Sequence, residues 1–128
     1  MPLINCCYQL TKNEYEFVDN LVLMLQEDNK SYVVRMMIDY ISKHDPLLIH
    51  RIGEKFVKPN SSRKYKVNVG IDRKKLESFE QKLLSYPCSR HRYLLVVAII
   101  IFQEMEKQRI YEIYDNYTEK IRVRSSKS

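Results

Sequence analysis

Glycine occurs only twice in the 128 residues, proline four times and tryptophan not at all. So few turn formers exclude a fold of many short strands and favour long helices joined by few connections. No glycine-rich phosphate loop, nucleophile elbow or convergent carboxylate pair is present, so no enzymatic activity and no cofactor are expected. The three cysteines, two of them adjacent at Cys6 and Cys7, make no disulfide framework and fit a reducing compartment. Together with His44, His50 and His91, the residues Cys6, Cys7 and Cys88 show no Cys-x-x-Cys or His-x-x-x-His spacing, so no metal site is expected. Cys88 and His91 could form a dyad on paper, but a packing or phosphate-binding role suits both better. Long hydrophobic stretches are also missing. The most apolar run, Tyr93 to Phe102, is too short to cross a bilayer and reads as a core helix, and no signal peptide precedes the first strand. A cytoplasmic protein with no membrane partner and no small-molecule substrate is the expectation.

What is present is positive charge, unevenly spread. The chain carries 22 Lys and Arg against 16 Asp and Glu, a net charge of +6. Residues 1–44 hold four basic against six acidic residues, whereas residues 63–92 hold nine against three. An anionic partner is implied, with a basic patch beside the second half of the chain. With 45% hydrophobic residues the chain can bury one core of ordinary size, and residues 1–128 are expected to form a single domain.

Two segments have the two-residue period of a half-buried strand. In residues 64–72, Tyr65, Val67, Val69 and Ile71 alternate with Lys64, Lys66, Asn68 and Gly70. In residues 4–10, Ile4, Cys6, Tyr8 and Leu10 alternate with Asn5, Cys7 and Gln9. A lone strand cannot bury its apolar face, so the two are expected to pair.

After each strand the period becomes helical. Thr11, with Glu14 three residues on, has the form of a capping box, and Tyr15, Val18, Leu21, Val22 and Leu25 share one helical face. Asp72 matches Thr11, and Leu76, Phe79 and Leu83 match Tyr15, Val18 and Val22. A polar break at residues 27–31 precedes a second helical pattern with Val33, Val34, Met37, Ile38 and Ile41. Pro87-Cys88-Ser89 precedes its counterpart, with Leu94, Leu95, Ala98, Ile99 and Phe102. Shared pattern with divergent letters is what a repeat under packing constraints shows. The expected units are repeat 1 at 4–44, a linker with a short helix at 45–63, repeat 2 at 64–104, a C-terminal helix extension at 105–121 and a disordered basic tail at 122–128.

Strand, amphipathic helix, polar turn and second helix within some forty residues resembles the ribbon-helix-helix family of DNA-binding proteins, the superfamily of Arc, MetJ and CopG. The duplication resembles a single-chain version, with a layout similar to TraY and to regulators of archaeal viruses. Best agreement lies in the second helix of each unit, where Asn29-Lys30-Ser31 precedes Val33, Val34 and Met37, and Arg90-His91-Arg92 precedes Leu94, Leu95 and Ala98. The family's usual turn glycine is absent, with Asp28 and Ser89 in that region.

The resemblance implies a mainly α fold: a two-stranded antiparallel ribbon, four main helices and an extended C-terminal helix. It implies double-stranded DNA as partner, in a prokaryotic cell or the host cell of a virus or plasmid. A ribbon in the major groove would present Asn5, Cys7, Gln9, Lys64, Lys66 and Asn68 to base edges. Helix N-termini carrying Lys30 and Ser31, and Arg90, His91 and Arg92, would meet flanking phosphates. The expected function is a sequence-selective transcriptional regulator, most simply a repressor, binding cooperatively. One alternative is an accessory DNA-binding protein of conjugation or replication.

Phe102, Met105, Ile110, Ile113, Tyr114, Tyr117 and Ile121 continue a helical stripe, so residues 93–120 are expected to form one helix of about 40 Å at 1.5 Å per residue. Its distal part, Ile110, Ile113, Tyr114, Tyr117 and Ile121, is expected to mediate self-association. An alternative of another class follows: an antitoxin or inhibitor that docks on a partner enzyme through this helix. The plain readings are a surface hairpin with solvated polar residues and a stripe that covers the chain's own core.

Overall fold

The computed structural model describes residues 3–43, 64–83 and 94–126. These residues are mainly helical, with one two-stranded antiparallel sheet and five helices. In chain order they are β1 (Leu3–Leu10), α1 (Lys12–Met24), α2 (Lys30–Ser42), β2 (Tyr65–Asp72), α3 (Arg73–Leu83), α4 (Leu94–Gln103) and α5 (Lys107–Ser126). The expected linker helix in residues 45–63 and the Pro87-Cys88-Ser89 turn lie outside the described residues.

Sequence-local chemistry sets most of the boundaries. Thr11 ends β1 by capping α1: its Oγ1 accepts from the Glu14 backbone N–H at 3.3 Å, and Glu14 Oε1 accepts from the Thr11 N–H at 2.9 Å. This reciprocal pair satisfies two donors that the first helical turn leaves open. Asp72 caps α3 with one bond, accepting from the Lys74 N–H at 2.9 Å. Asn29 caps α2 by accepting from the Ser31 N–H at 2.9 Å. At the end of α1 the Glu27 N–H reaches the Val22 carbonyl and the Gln26 N–H reaches that of Leu23, both at 3.1 Å. Such a Schellman closure needs a left-handed residue, and Gln26 takes it at φ 53°. The position that favours glycine is therefore Gln26, upstream of Asp28.

The strands pair as their alternation requires. Leu3 lies opposite Asp72, Cys7 opposite Asn68 and Leu10 opposite Tyr65. Cys6, Tyr8, Leu10, Val67, Val69 and Ile71 are buried on the inner face, and α1, α2 and α4 hold apolar residues of the same core. At the centre lies α4, whose residues Leu94 to Ile99 are all buried, as expected of a helix apolar on every side. It packs against α1 and α2, while α2 also contacts β2.

Two expectations about the C-terminal part are corrected. Residues 93–120 do not form one helix: α4 ends at Gln103, the chain turns through Glu104 to Glu106, and α5 begins at Lys107. Ile113 lies eleven residues beyond Phe102, so a straight continuation would carry it about 16 Å away along the axis. The turn instead returns Ile110 and Ile113 to the core that Phe102 occupies. No glycine or proline marks this break, so apolar burial alone explains it. The second correction concerns the tail, since α5 continues to Ser126, into the stretch expected to be disordered.

Candidate nucleic-acid interface

The face of the ribbon turned away from the core carries Asn5, Cys7, Gln9, Lys66 and Asn68, all exposed. The register brings Cys7 against Asn68, Gln9 against Lys66 and Asn5 against Gly70. Lys64 is exposed but precedes β2, so it stands at the ribbon's end, outside the paired ladder. Successive outward side chains along a strand lie about 6.8 Å apart, twice the base-pair rise of about 3.4 Å. Asn5 to Gln9 thus spans about four base-pair steps. A two-stranded backbone about 5 Å wide fits a major groove about 12 Å across.

Two outward residues extend this face beyond those singled out from sequence. Leu3 is 56% exposed and its side chain reaches over Gly70: a Cβ built on that glycine would stand 3.2 Å from Leu3 Cδ1. The even spacing Leu3, Asn5, Cys7, Gln9 carries the signal, but an apolar residue at a strand's start reads naturally as a core residue. Directly after β2, Arg73 and Lys74 are exposed at the start of α3 and place two cations beside the ribbon.

The N-terminus of α2 is fastened to the ribbon. Ser31 Oγ donates to the Asn68 carbonyl at 3.1 Å. Its hydrogen is therefore engaged in positioning the helix against the ribbon. Lys30 is likewise engaged: its Nζ lies 2.6 Å from Asp19 Oδ1, donates to Tyr15 Oη at 2.8 Å and sits 4.1 Å from the Tyr15 ring centroid. Partial burial works to lower the Lys30 pKa, but the bonds to Asp19 and Tyr15 outweigh it and raise it. Lys30 is thus a held cation near the ribbon, and an approaching phosphate competes with Asp19 for it. Arg90, His91 and Arg92 lie outside the described residues.

The stripe on α5 faces inward, towards the chain's own core. Ile110 and Ile113 are buried in the chain's own core, with Tyr114 and Tyr117 packed against it and Ile121 half-buried. Tyr114 Oη donates to Glu27 Oε2 at 2.6 Å, and this bond, with burial, pushes the phenol pKa up to about 12. Tyr32 pairs with Thr118 at 3.1 Å, and Tyr111 donates to the Met24 carbonyl at 3.3 Å. Their hydroxyls fasten α5 over α1 and α2.

A charged cluster lies apart from the ribbon. Asp39, 9% exposed, is met by Lys75 at 2.6 Å, Lys43 at 3.3 Å and Lys120 at 3.9 Å. Burial works to raise its pKa, but the Lys75 hydrogen bond and the three cationic charges outweigh it and hold the carboxyl below its ordinary value. Among the described residues no group of three His, Cys, Asp or Glu side chains converges as metal ligands, and no helix is long and apolar enough to cross a membrane. No family model, curated protein or solved structure matches this chain.

Proposed function

We propose that the chain is a tandem ribbon-helix-helix protein that binds double-stranded DNA by laying its β-ribbon in the major groove, and that it acts as a transcriptional regulator, most simply a repressor that occludes a promoter. The observation that carries this reading is the register of the ribbon. Asn68 follows Cys7 by 61 positions, the same offset that relates the two sequence units, and these two residues face one another in the ladder. Paired equivalents are what a local two-fold axis through the ribbon requires. The same offset carries the start of α1 at Lys12 onto the start of α3 at Arg73, and the end of α2 at Ser42 onto the end of α4 at Gln103.

The chemistry of the outward face supports the same reading. Asn5, Gln9 and Asn68 can each make paired hydrogen bonds to adenine N6 and N7, and Lys66 suits guanine O6 and N7. Leu3 offers an apolar contact to a thymine methyl. Lys64, Arg73 and Lys74, with Arg90, His91 and Arg92 on sequence grounds, supply phosphate contacts that add affinity without sequence preference. Because Cys7 faces Asn68 and Gly70 faces Asn5, the two halves carry unlike code, so the bound site is not a perfect inverted repeat. An accessory role in conjugation or replication would use the same surface. Docking on a partner enzyme through α5 is the weaker alternative, because Ile110 and Ile113 of its stripe are buried in the chain's own core.

A gel-shift titration at two salt concentrations tests the proposal. Binding that weakens steeply with salt, with a selected sequence preferred over random DNA, is the expected result. No binding even at low salt would refute it.

A further inference from the structure

At the two ends of the ribbon, equivalent outward positions carry opposite chemistry. The offset of 61 positions that relates the two units carries Leu3 onto Lys64 and Gln9 onto Gly70. One end of the face therefore presents Leu3 over Gly70, while the other presents Lys64 and Gln9. The missing side chain at Gly70 is what seats the leucine. A Cβ there would lie within 3.4 Å of both Leu3 Cδ1 and Leu3 Cβ, yet more than half of Leu3 stays open to solvent. Across the ladder from Leu3, Asp72 turns one carboxylate oxygen to the Lys74 N–H as the cap of α3. The outermost reading group at this end is a hydrocarbon.

A hydrocarbon in the major groove distinguishes one feature of a base edge, the C5-methyl group. Telling thymine O4 from the cytosine N4 amine takes a hydrogen-bonding partner, and leucine has none to offer. Thymine and 5-methylcytosine both carry the methyl, whereas uracil and cytosine lack it.

We infer that the Leu3–Gly70 end of the ribbon reads a 5-methyl pyrimidine, thymine and 5-methylcytosine alike, at one flank of the bound site, so that cytosine methylation at that flank strengthens binding. This rests on the DNA-binding reading and adds a modified base to what the ribbon recognises. Leu3 stands two outward positions from Cys7, which places the methyl about four base-pair steps from the centre of the site. At the other flank Lys64 and Gln9 replace the apolar pair, and a methyl there has no comparable seat.

Competition binding of the full chain to a selected site tests this, with each thymine exchanged in turn for deoxyuridine, and with cytosine compared with 5-methylcytosine at the sensitive position. At one flank only, loss of the methyl is expected to weaken binding about 4-fold, the effect of burying one methyl-sized group. The same factor should separate 5-methylcytosine from cytosine. Leu3→Ser removes both differences and, because Leu3 is largely exposed, retains the fold. Gly70→Ala crowds Leu3 off its seat and should diminish them, whereas Gln9→Ala should leave them intact. A selected site preferred over random DNA but indifferent to both exchanges overturns the inference and leaves the DNA-binding reading standing. A methyl effect that is equal at both flanks, or that survives Leu3→Ser, does the same. Absence of DNA binding refutes that reading and this inference with it.

Discussion

If the ribbon reads base edges, replacing Cys7 by Asn should add one readable position without disturbing the others. Cys7 is exposed and faces Asn68 across the ladder, so the substitution places two amides at the centre of the outward face and removes a thiol that hydrogen-bonds weakly. A well-placed amide pair with adenine carries about 1–3 kcal/mol of discrimination, or about 5- to 150-fold between matched and mismatched sites. The change should be local. Neighbouring outward residues lie about two base-pair steps away, so preferences set by Asn5, Gln9 and Lys66 should persist while one or two central base pairs become more strongly constrained.

No charge is introduced, which separates base reading from phosphate contact. The dependence of affinity on salt should keep its slope, and affinity for random DNA should be unchanged. Competition binding of wild type and Cys7→Asn, on oligonucleotides that differ only at the centre of a selected site, measures both quantities. Central discrimination should rise, and the selected site should move towards an inverted repeat. Were affinity to change evenly on all sequences, or the central preference not to change at all, the ribbon face would not be reading bases.

Other expectations concern the fold and the outward face. Gln26→Gly relieves a left-handed strain of about 1–2 kcal/mol and gives back part of it in chain flexibility, so a net gain of about 0.5–1 kcal/mol is expected as a higher urea midpoint with unchanged slope. Thr11→Ala removes half of the α1 capping box and should lower stability by about 1 kcal/mol in the same assay. Because the Asp39 pKa is depressed in the folded protein, its contribution is full above the unfolded carboxyl value and is lost as pH falls through the folded one. Wild type should therefore exceed Asp39→Asn in stability at about pH 7 and converge towards it as pH falls below the ordinary carboxyl value, and a constant difference would show that the carboxylate charge is not what matters. Leu3→Ser should relax a thymine preference at one end of the selected site while leaving nonspecific affinity intact, and an unaltered preference would remove Leu3 from the readout.

Those parts of the fold governed by local chemistry were legible in the sequence, and those governed by competition for one core were not. The alternation in residues 4–10 and 65–71, the Thr11–Glu14 box and the Asp72 cap each involve groups within a few positions, so spacing alone predicts them. The ribbon's pairing is long-range, yet both strands have one apolar face and the repeat offset aligns them, so it was readable as well. By contrast, the stripe of Ile110, Ile113 and Tyr117 has the same periodicity whether it covers its own core or another molecule's. Only the turn at Glu104 to Glu106 decides between them, and nothing in its composition announces a turn. At the candidate interface, the place of Ser31 and Lys30 at a helix N-terminus was legible, but their bonds to Asn68 and Asp19 were not, because those partners lie far along the chain. That difference bears on mechanism. Ser31 holds α2 against the strand that carries Asn68, so the helix N-terminus and the central residue of the reading face move as one piece. Ser31→Ala should for that reason impair sequence discrimination and total affinity together, as loss of a positioning contact does, whereas loss of a phosphate contact lowers affinity alone and also reduces the salt slope.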